Sequence, residues 1–208
     1  MKDQLRASLN PFDNSIKDGN KKLFLDDINR SCAFTGHRPA KFPWKYEEND
    51  KRCLALKAVL TEQIKKLAAA DVTDFYSGMA LGTDTWAAMA VLDLRERKPA
   101  IKLHCVLPCE GQEATWPIPS QVRYKYILSE ADSVEYVNRY YHSKCMLERN
   151  QRLVNSAARL IAVYNGEKRG GTAATVRYAQ KAGREIIYIN PEILLVFKWG
   201  AAPDLTHP

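Results

Sequence analysis

The sequence predicts an α/β fold in three layers, a mainly parallel central sheet flanked by helices on both faces. Short apolar runs alternate with amphipathic stretches along most of the chain, the pattern of a sheet covered on both sides. The turns after the apolar runs are polar and built of small residues. At 208 residues, 46% apolar and 26% charged, the chain is large enough for one domain with a substantial core.

Residues 1–29 mix Asn, Asp, Lys and Gly without sustained periodicity and read as an N-terminal extension holding at most a short helix. The domain, 30–192, begins at SCAFTGHRP, where Cys32, Ala33 and Phe34 form a strand that stops at Gly36; Pro39 blocks immediate entry into a helix. Leu56, Val59, Leu60, Ile64 and Leu67 recur at three-and-four spacing and predict a helix over 51–70. The pattern then repeats: strand 74–77, turn 78–83, helix 84–97, strand 100–107 ended by Pro108, and a helix from about Ser120. A short strand near 134–137, a helix over 144–156, a strand over 159–164, a helix over 172–181 and a strand over 185–189 complete it. Residues 193–208 read as a C-terminal tail.

Composition narrows the function. No run approaches the eighteen apolar residues of a membrane span, and the N-terminus lacks the apolar core of a secretory signal, so a cytoplasmic protein is expected. Five scattered cysteines in apolar runs predict reduced, buried thiols rather than a disulfide framework. No metal site is expected. Strand alternation sends His104 and Cys105 to opposite faces, and neither Cys109 nor His142 and Cys145 completes a paired C-x-x-C. A formal charge of +7 favours anionic partners, whether nucleotide, phosphate or nucleic acid.

In a parallel sheet, ligands bind outside the carboxyl ends of the strands. Three turns fall there. In YSGMALGTD, Ser77 precedes Gly78 and Gly82, which permit close backbone approach, while Thr83 or Asp84 can cap the following helix. Asp84 would repel a phosphate at the same spot, so a cap or a ribose contact is its expected role. In YNGEKRGGT, Gly170, Gly171 and Thr172 open a helix directly after a buried strand, so backbone amides and the hydroxyls of Thr172 and Thr175 are expected to converge on an anion. The Lys-Ser/Thr ending of a triphosphate-binding P-loop is missing. In TGHRP, Thr35 and Gly36 lead to His37, a donor or an acid–base group, and to Arg38, a bidentate phosphate clasp. Trp116, in a loop after a strand, is the best-placed tryptophan for stacking on a base.

These motifs carry a resemblance. SGMALGTDTWAA resembles the SG-x-A-x-G-x-D signature of DprA/Smf proteins, and GGTAATVRYAQKAGREIIYINP their final helix and strand. TGHRP, SGMALGTD, LPCEGQEATW, the helix start Met146-Leu147-Glu148-Arg149-Asn150 and YNGEKRGGT together resemble the YpsA-like branch of the SLOG superfamily. That superfamily joins DprA/Smf to the LOG-type phosphoribohydrolases. The resemblance covers about residues 31–191 and implies a Rossmann-like sheet with a nucleotide-related ligand at the three turns, Arg149 and Asn150 included. The LOG enzymes pair an arginine, matched by Arg149, with a glutamate whose position falls here on Thr175 or Arg177. Turnover therefore lacks its obvious carboxylate, with Glu110, Glu113 and Asp84 as candidate substitutes.

The leading expectation is a binder of a nucleotide or nucleotide-sugar derivative, ADP-ribose-like or a nucleoside phosphate, in a regulatory or sensing role. The alternatives are a LOG-type hydrolase of an N-glycosidic or phosphate bond and, ranked last, DprA-like binding of single-stranded DNA. No motif specifies a cofactor beyond that nucleotide-type ligand. Homo-oligomerisation stays open, because nothing in the sequence fixes a dimer face.

Overall fold

The computed structural model describes residues 28–199. In chain order the elements are β1 (Ser31–Gly36), a single 3-10 turn (Pro39–Lys41), α1 (Lys51–Ala69), β2 (Asp74–Ser77), α2 (Thr83–Arg95) and β3 (Lys102–Leu107). They continue with α3 (Ile118–Glu130), β4 (Ser133–Tyr136), α4 (Cys145–Asn155), β5 (Arg159–Val163), α5 (Gly171–Lys181), β6 (Glu185–Ile189) and β7 (Val196–Trp199). The strands lie in the order β4-β3-β2-β1-β5-β6-β7. Every pairing is parallel except β6 with β7.

Strand alternation divides the core between the two faces of the sheet. Cys32, Phe34, Phe75, Leu103, Cys105 and Ile161 point to one face, where they pack with α1, α2 and α3. Ala33, Leu160, Ala162, Ile186 and Tyr188 point to the other and meet α4 and α5. The expected helices on both faces are present. Helix α1 follows its sequence pattern closely: Leu56, Leu60, Ile64 and Leu67 are buried, and the Asp50 side chain caps it by accepting from the Arg52 amide at 2.8 Å. Glu48, just before that cap, ties three helices together by accepting from Lys57 (2.6 Å), Trp86 Nε1 (3.0 Å) and Arg123 (2.7 Å). Burial alone would raise its carboxyl, but the three hydrogen bonds prevail and hold it at about 2.

All five cysteines are unpaired and buried. Burial pushes the Cys32 and Cys105 thiols up to about 12, so neither forms a reactive thiolate near neutral pH. No described helix is long and apolar enough to cross a membrane.

The C-terminal boundary differs from the sequence reading. Residues 193 onward do not all form a tail, because Val196–Trp199 adds a seventh, antiparallel strand. Asn190 makes this possible: its side chain accepts from the Glu192 amide at 2.9 Å, and Leu194 takes a positive φ of 56°, folding Pro191 into a hairpin turn. The predicted extension of residues 1–29 falls mostly outside the described residues, as does 200–208. Ile28 already belongs to the domain, buried and accepting from the Ala158 amide at 3.3 Å.

Candidate functional site

From β1 the sheet grows in two directions, to β2 on one side and to β5 on the other. Loops leaving the carboxyl ends of β1 and β5 therefore diverge and leave a crevice between them. A cavity of about 240 Å³ occupies that point, bounded by the loop after β1, the turn after β2, the start of α4 and the turn after β5. Thr35, Gly36, His37, Arg38, Asp84 and Arg149 line it, and so do Asn150, Gly170, Gly171 and Thr172. Ten of the fifteen residues anticipated for the site thus meet in one place.

The turn after β2 is closed. Arg149, from α4, is only 4% exposed and Asp84 6%, and they face each other with Nη1 and Oδ2 3.5 Å apart. Nη1 also donates to the Gly78 carbonyl, while Asp84 Oδ2 accepts from the Ala80 amide at 3.2 Å. Ser77 is fully buried; its hydroxyl donates to the Asp84 carbonyl and accepts from the Met79 amide. A Cβ on Gly78 would overlap the Arg149 guanidinium, and one on Gly82, at φ 99°, would press on the Pro39 ring. Thr83 donates to the His37 carbonyl at 3.2 Å. Ser77, Gly78, Gly82 and Thr83 therefore do not line the cavity. They buttress it: the glycines make room for the protein's own side chains, not for a ligand. Burial raises the Asp84 carboxyl, against the pull of Arg149, and lowers the Arg149 guanidinium. Arg149 Nε has no hydrogen-bond partner among the described residues.

The turn after β5 is open. Gly170, at φ 106°, precedes α5, and no side chain caps that helix or places an acid in its first turn. A Cβ on Gly170 or Gly171 would meet nothing within 4 Å. The hydroxyls do not converge as expected. Thr172 donates to the Gly36 carbonyl at 3.0 Å, and Thr175, buried behind it, donates to the Gly171 carbonyl at 2.9 Å. Their protons are taken by the backbone, which leaves the first amides of α5, without intrahelical acceptors, as the donors that this turn can offer.

His37 is buried beside Phe42 and Tyr164, with Nε2 2.9 Å from Asn165 Oδ1. This fixes the ring and ties the loop after β1 to the turn after β5. Lys41 and Glu167 cross the mouth at 2.9 Å, and that contact holds the Glu167 carboxyl below its usual range. Lys41, Ala80, Met146, Glu167 and Arg169 complete the lining and were missed in the sequence. Glu167 and Arg169 sit inside YNGEKRGGT, Ala80 inside YSGMALGTD and Met146 in the helix start that holds Arg149, so each carried a readable signal; Lys41 arrives only through packing. Arg38 and Arg169 are exposed, and their side chains make no salt bridge or hydrogen bond among the described residues. Trp116 does not line the cavity; it is half-buried, edge-on to Tyr124 with ring centroids 5.4 Å apart.

Residues 32–194 match the family model for YpsA, described as the YspA SLOG family. The chain belongs to that family. It is similar to the UPF0398 protein YpsA of Bacillus subtilis, 26% identical over 151 residues that cover 72% of this chain and 83% of the relative. A UPF0398 protein of Shouchella clausii is 31% identical over 150 residues, covering 71% of this chain and 80% of that one. Among solved structures, the DNA processing protein A (DprA) of Helicobacter pylori superposes with a TM-score of 0.53 at 18% identity, covering 82% of this chain and 69% of that one. The Streptococcus pneumoniae DprA gives 0.52 at 18% identity; the overlap takes in 82% of this chain but only 53%, about half, of the pneumococcal chain. This likeness establishes a shared Rossmann-like fold.

Within this YpsA-family chain, Thr175 and Arg177 supply no carboxylate, and Glu110 and Glu113 do not line the cavity. The acids that do are Asp84 and Glu167, each already facing a cation.

Proposed function

We propose that the cavity binds the phosphate of a nucleotide or nucleotide-sugar derivative and serves a regulatory or sensing role. The observation that carries this reading is the uncapped start of α5, with open space above Gly171 and the unpaired Arg38 and Arg169 at its rim. Helix amides and arginines together suit a phosphate more than a neutral ligand. Cleavage of the ligand draws less support, because both cavity carboxylates are engaged by cations.

A thermal-shift panel of AMP, NAD, ADP-ribose, cyclic nucleotides and short single-stranded DNA tests it. A ligand at 100 times its Kd adds about 2.7 kcal/mol of stability. Gly171→Asp places bulk and negative charge at the open helix start and should abolish that shift without lowering the melting temperature of the free protein. A nucleotide that stabilises the variant as well as the wild type would remove the cavity from consideration.

A second reading takes the phosphates of a single-stranded nucleic acid to the same amides. It is favoured by the +7 charge and by the fold shared with the Helicobacter pylori protein, described as binding single-stranded DNA. Affinity for DNA that falls steeply with added salt, while nucleotides give no shift, distinguishes it.

A further inference from the structure

The sequence-predicted stacking residue, Trp116, packs on Tyr124, and among the described residues the cavity lining includes no Trp, Tyr or Phe; its one ring, His37, is buried and bonded to Asn165. An aromatic pair lies elsewhere on the same edge of the sheet. Tyr140 and Tyr141, in the loop joining β4 to α4, are 70% and 73% exposed. Neither makes a hydrogen bond among the described residues, and the one ring contact either makes is with Arg139, whose guanidinium lies 5.2 Å from the Tyr140 centroid.

The loop is held at both ends. Val137 and Asn138 donate to the carbonyls of Leu107 and Pro108 (2.8 and 3.1 Å), which fixes its start beside the carboxyl end of β3. Cys145 donates to the His142 carbonyl (3.1 Å) and His142 faces Glu148 (3.4 Å), which fixes its end on the first turn of α4. The first two turns of that helix carry Met146, Arg149 and Asn150 to the cavity. Arg139 and Lys144 make no salt bridge among the described residues, so the loop presents cations as well as rings. Single exposed aromatics are ordinary on protein surfaces. Two in succession, with Arg139 over one of them and Lys144 a few residues beyond, match the means by which proteins hold unpaired bases: a π-face for stacking and positive charge for the backbone.

Building on the phosphate-binding reading of the cavity, we infer that Arg139, Tyr140 and Tyr141 form a nucleobase-stacking platform for the ligand whose phosphate the cavity holds. The chemistry recognised is a base attached to a sugar phosphate. It comes either from a mononucleotide or from a short single strand whose next base reaches the loop.

The test measures affinity of the full chain, at one fixed salt concentration, for ribose 5-phosphate, AMP and a short oligodeoxyadenylate. Wild type is compared with Tyr140→Ala/Tyr141→Ala and with Tyr140→Phe/Tyr141→Phe. Both tyrosines are exposed, and unchanged melting temperatures will show that the variants are folded. Stacking contributes roughly five- to hundred-fold per base. The double alanine variant should therefore lose about tenfold or more for a base-bearing ligand, keep its affinity for ribose 5-phosphate, and regain the base preference in the phenylalanine variant. Loss for AMP identifies the base of a single nucleotide; loss for the oligonucleotide alone identifies a neighbouring base of a strand. If AMP and the oligonucleotide bind the double alanine variant as they bind wild type, the platform is refuted while the cavity reading stands. If wild type binds none of the three ligands, both are refuted.

Discussion

The helix starts of α2 and α5 look alike in sequence, each a glycine turn running into a threonine, yet they are opposites in the folded chain. Helix α2 begins with its own acid, Asp84, which accepts from the Ala80 amide and faces buried Arg149. Neither helix start has a side-chain cap, the expected Thr83 or Asp84 cap included, but α5 also has no acid in its first turn and borders the cavity. At Gly78 the missing side chain makes room for a guanidinium of the protein itself; at Gly171 it leaves space unfilled. A helix start that already holds an anion is a structural joint, and one that holds none is available to a ligand.

The contrast can be broken most forcefully at Arg149. Arg149→Ala leaves the Asp84 carboxylate buried without its partner, and urea unfolding should show a loss of about 3–5 kcal/mol. A loss below about 1 kcal/mol would mean that the closed turn is held by something else. Next in size is the glycine pair. Gly78→Ala forces a methyl group into the guanidinium and should cost about 1–3 kcal/mol. Gly171→Ala enters open space without a positive φ to strain it, and its stability should stay within about 0.5 kcal/mol of wild type. Equal effects at the two positions would erase the distinction between the turns.

The smallest effect is a slope with pH. Burial raises the Asp84 carboxyl above its ordinary 3.8. Between that value and the raised one, the folded chain keeps a proton that the unfolded chain has released. Stability contributed by this group is therefore complete below the ordinary value and declines as pH rises through the window. Unfolding free energies measured from about pH 4 upward should decline less steeply in Asp84→Asn than in wild type; parallel curves would place the titration elsewhere.

Much of the fold was legible because each buried element declares itself locally. Helix α1 shows its stripe at Leu56, Leu60, Ile64 and Leu67, and β5 is a continuous apolar run. Strand β7 was not legible: it is an exposed edge of four residues, one of them Lys198, and the Asn190 turn that creates it resembles an ending. For the site, the sequence marked the three turns that meet at the β1–β5 crevice but could not say which glycine faces open space and which faces Arg149. A missing side chain reads the same in both cases. Trp116 misled for a related reason, since a loop position after a strand does not reveal that Tyr124 is its neighbour.

The position of β1 also governs when the site can exist during folding. Its pairing with β2 spans only α1 and the loops around it, but Cys32 meets Arg159 only after most of the domain has been synthesised. Pairings this distant close slowly, because a long loop must be ordered before any contact rewards it. The β4-β3-β2-β1 half contains no part of the turn after β5, so the crevice is complete only once β5 is paired with β1. The crevice is thus a property of the completed sheet, and it exists only where the most distant pairing of β1 has closed.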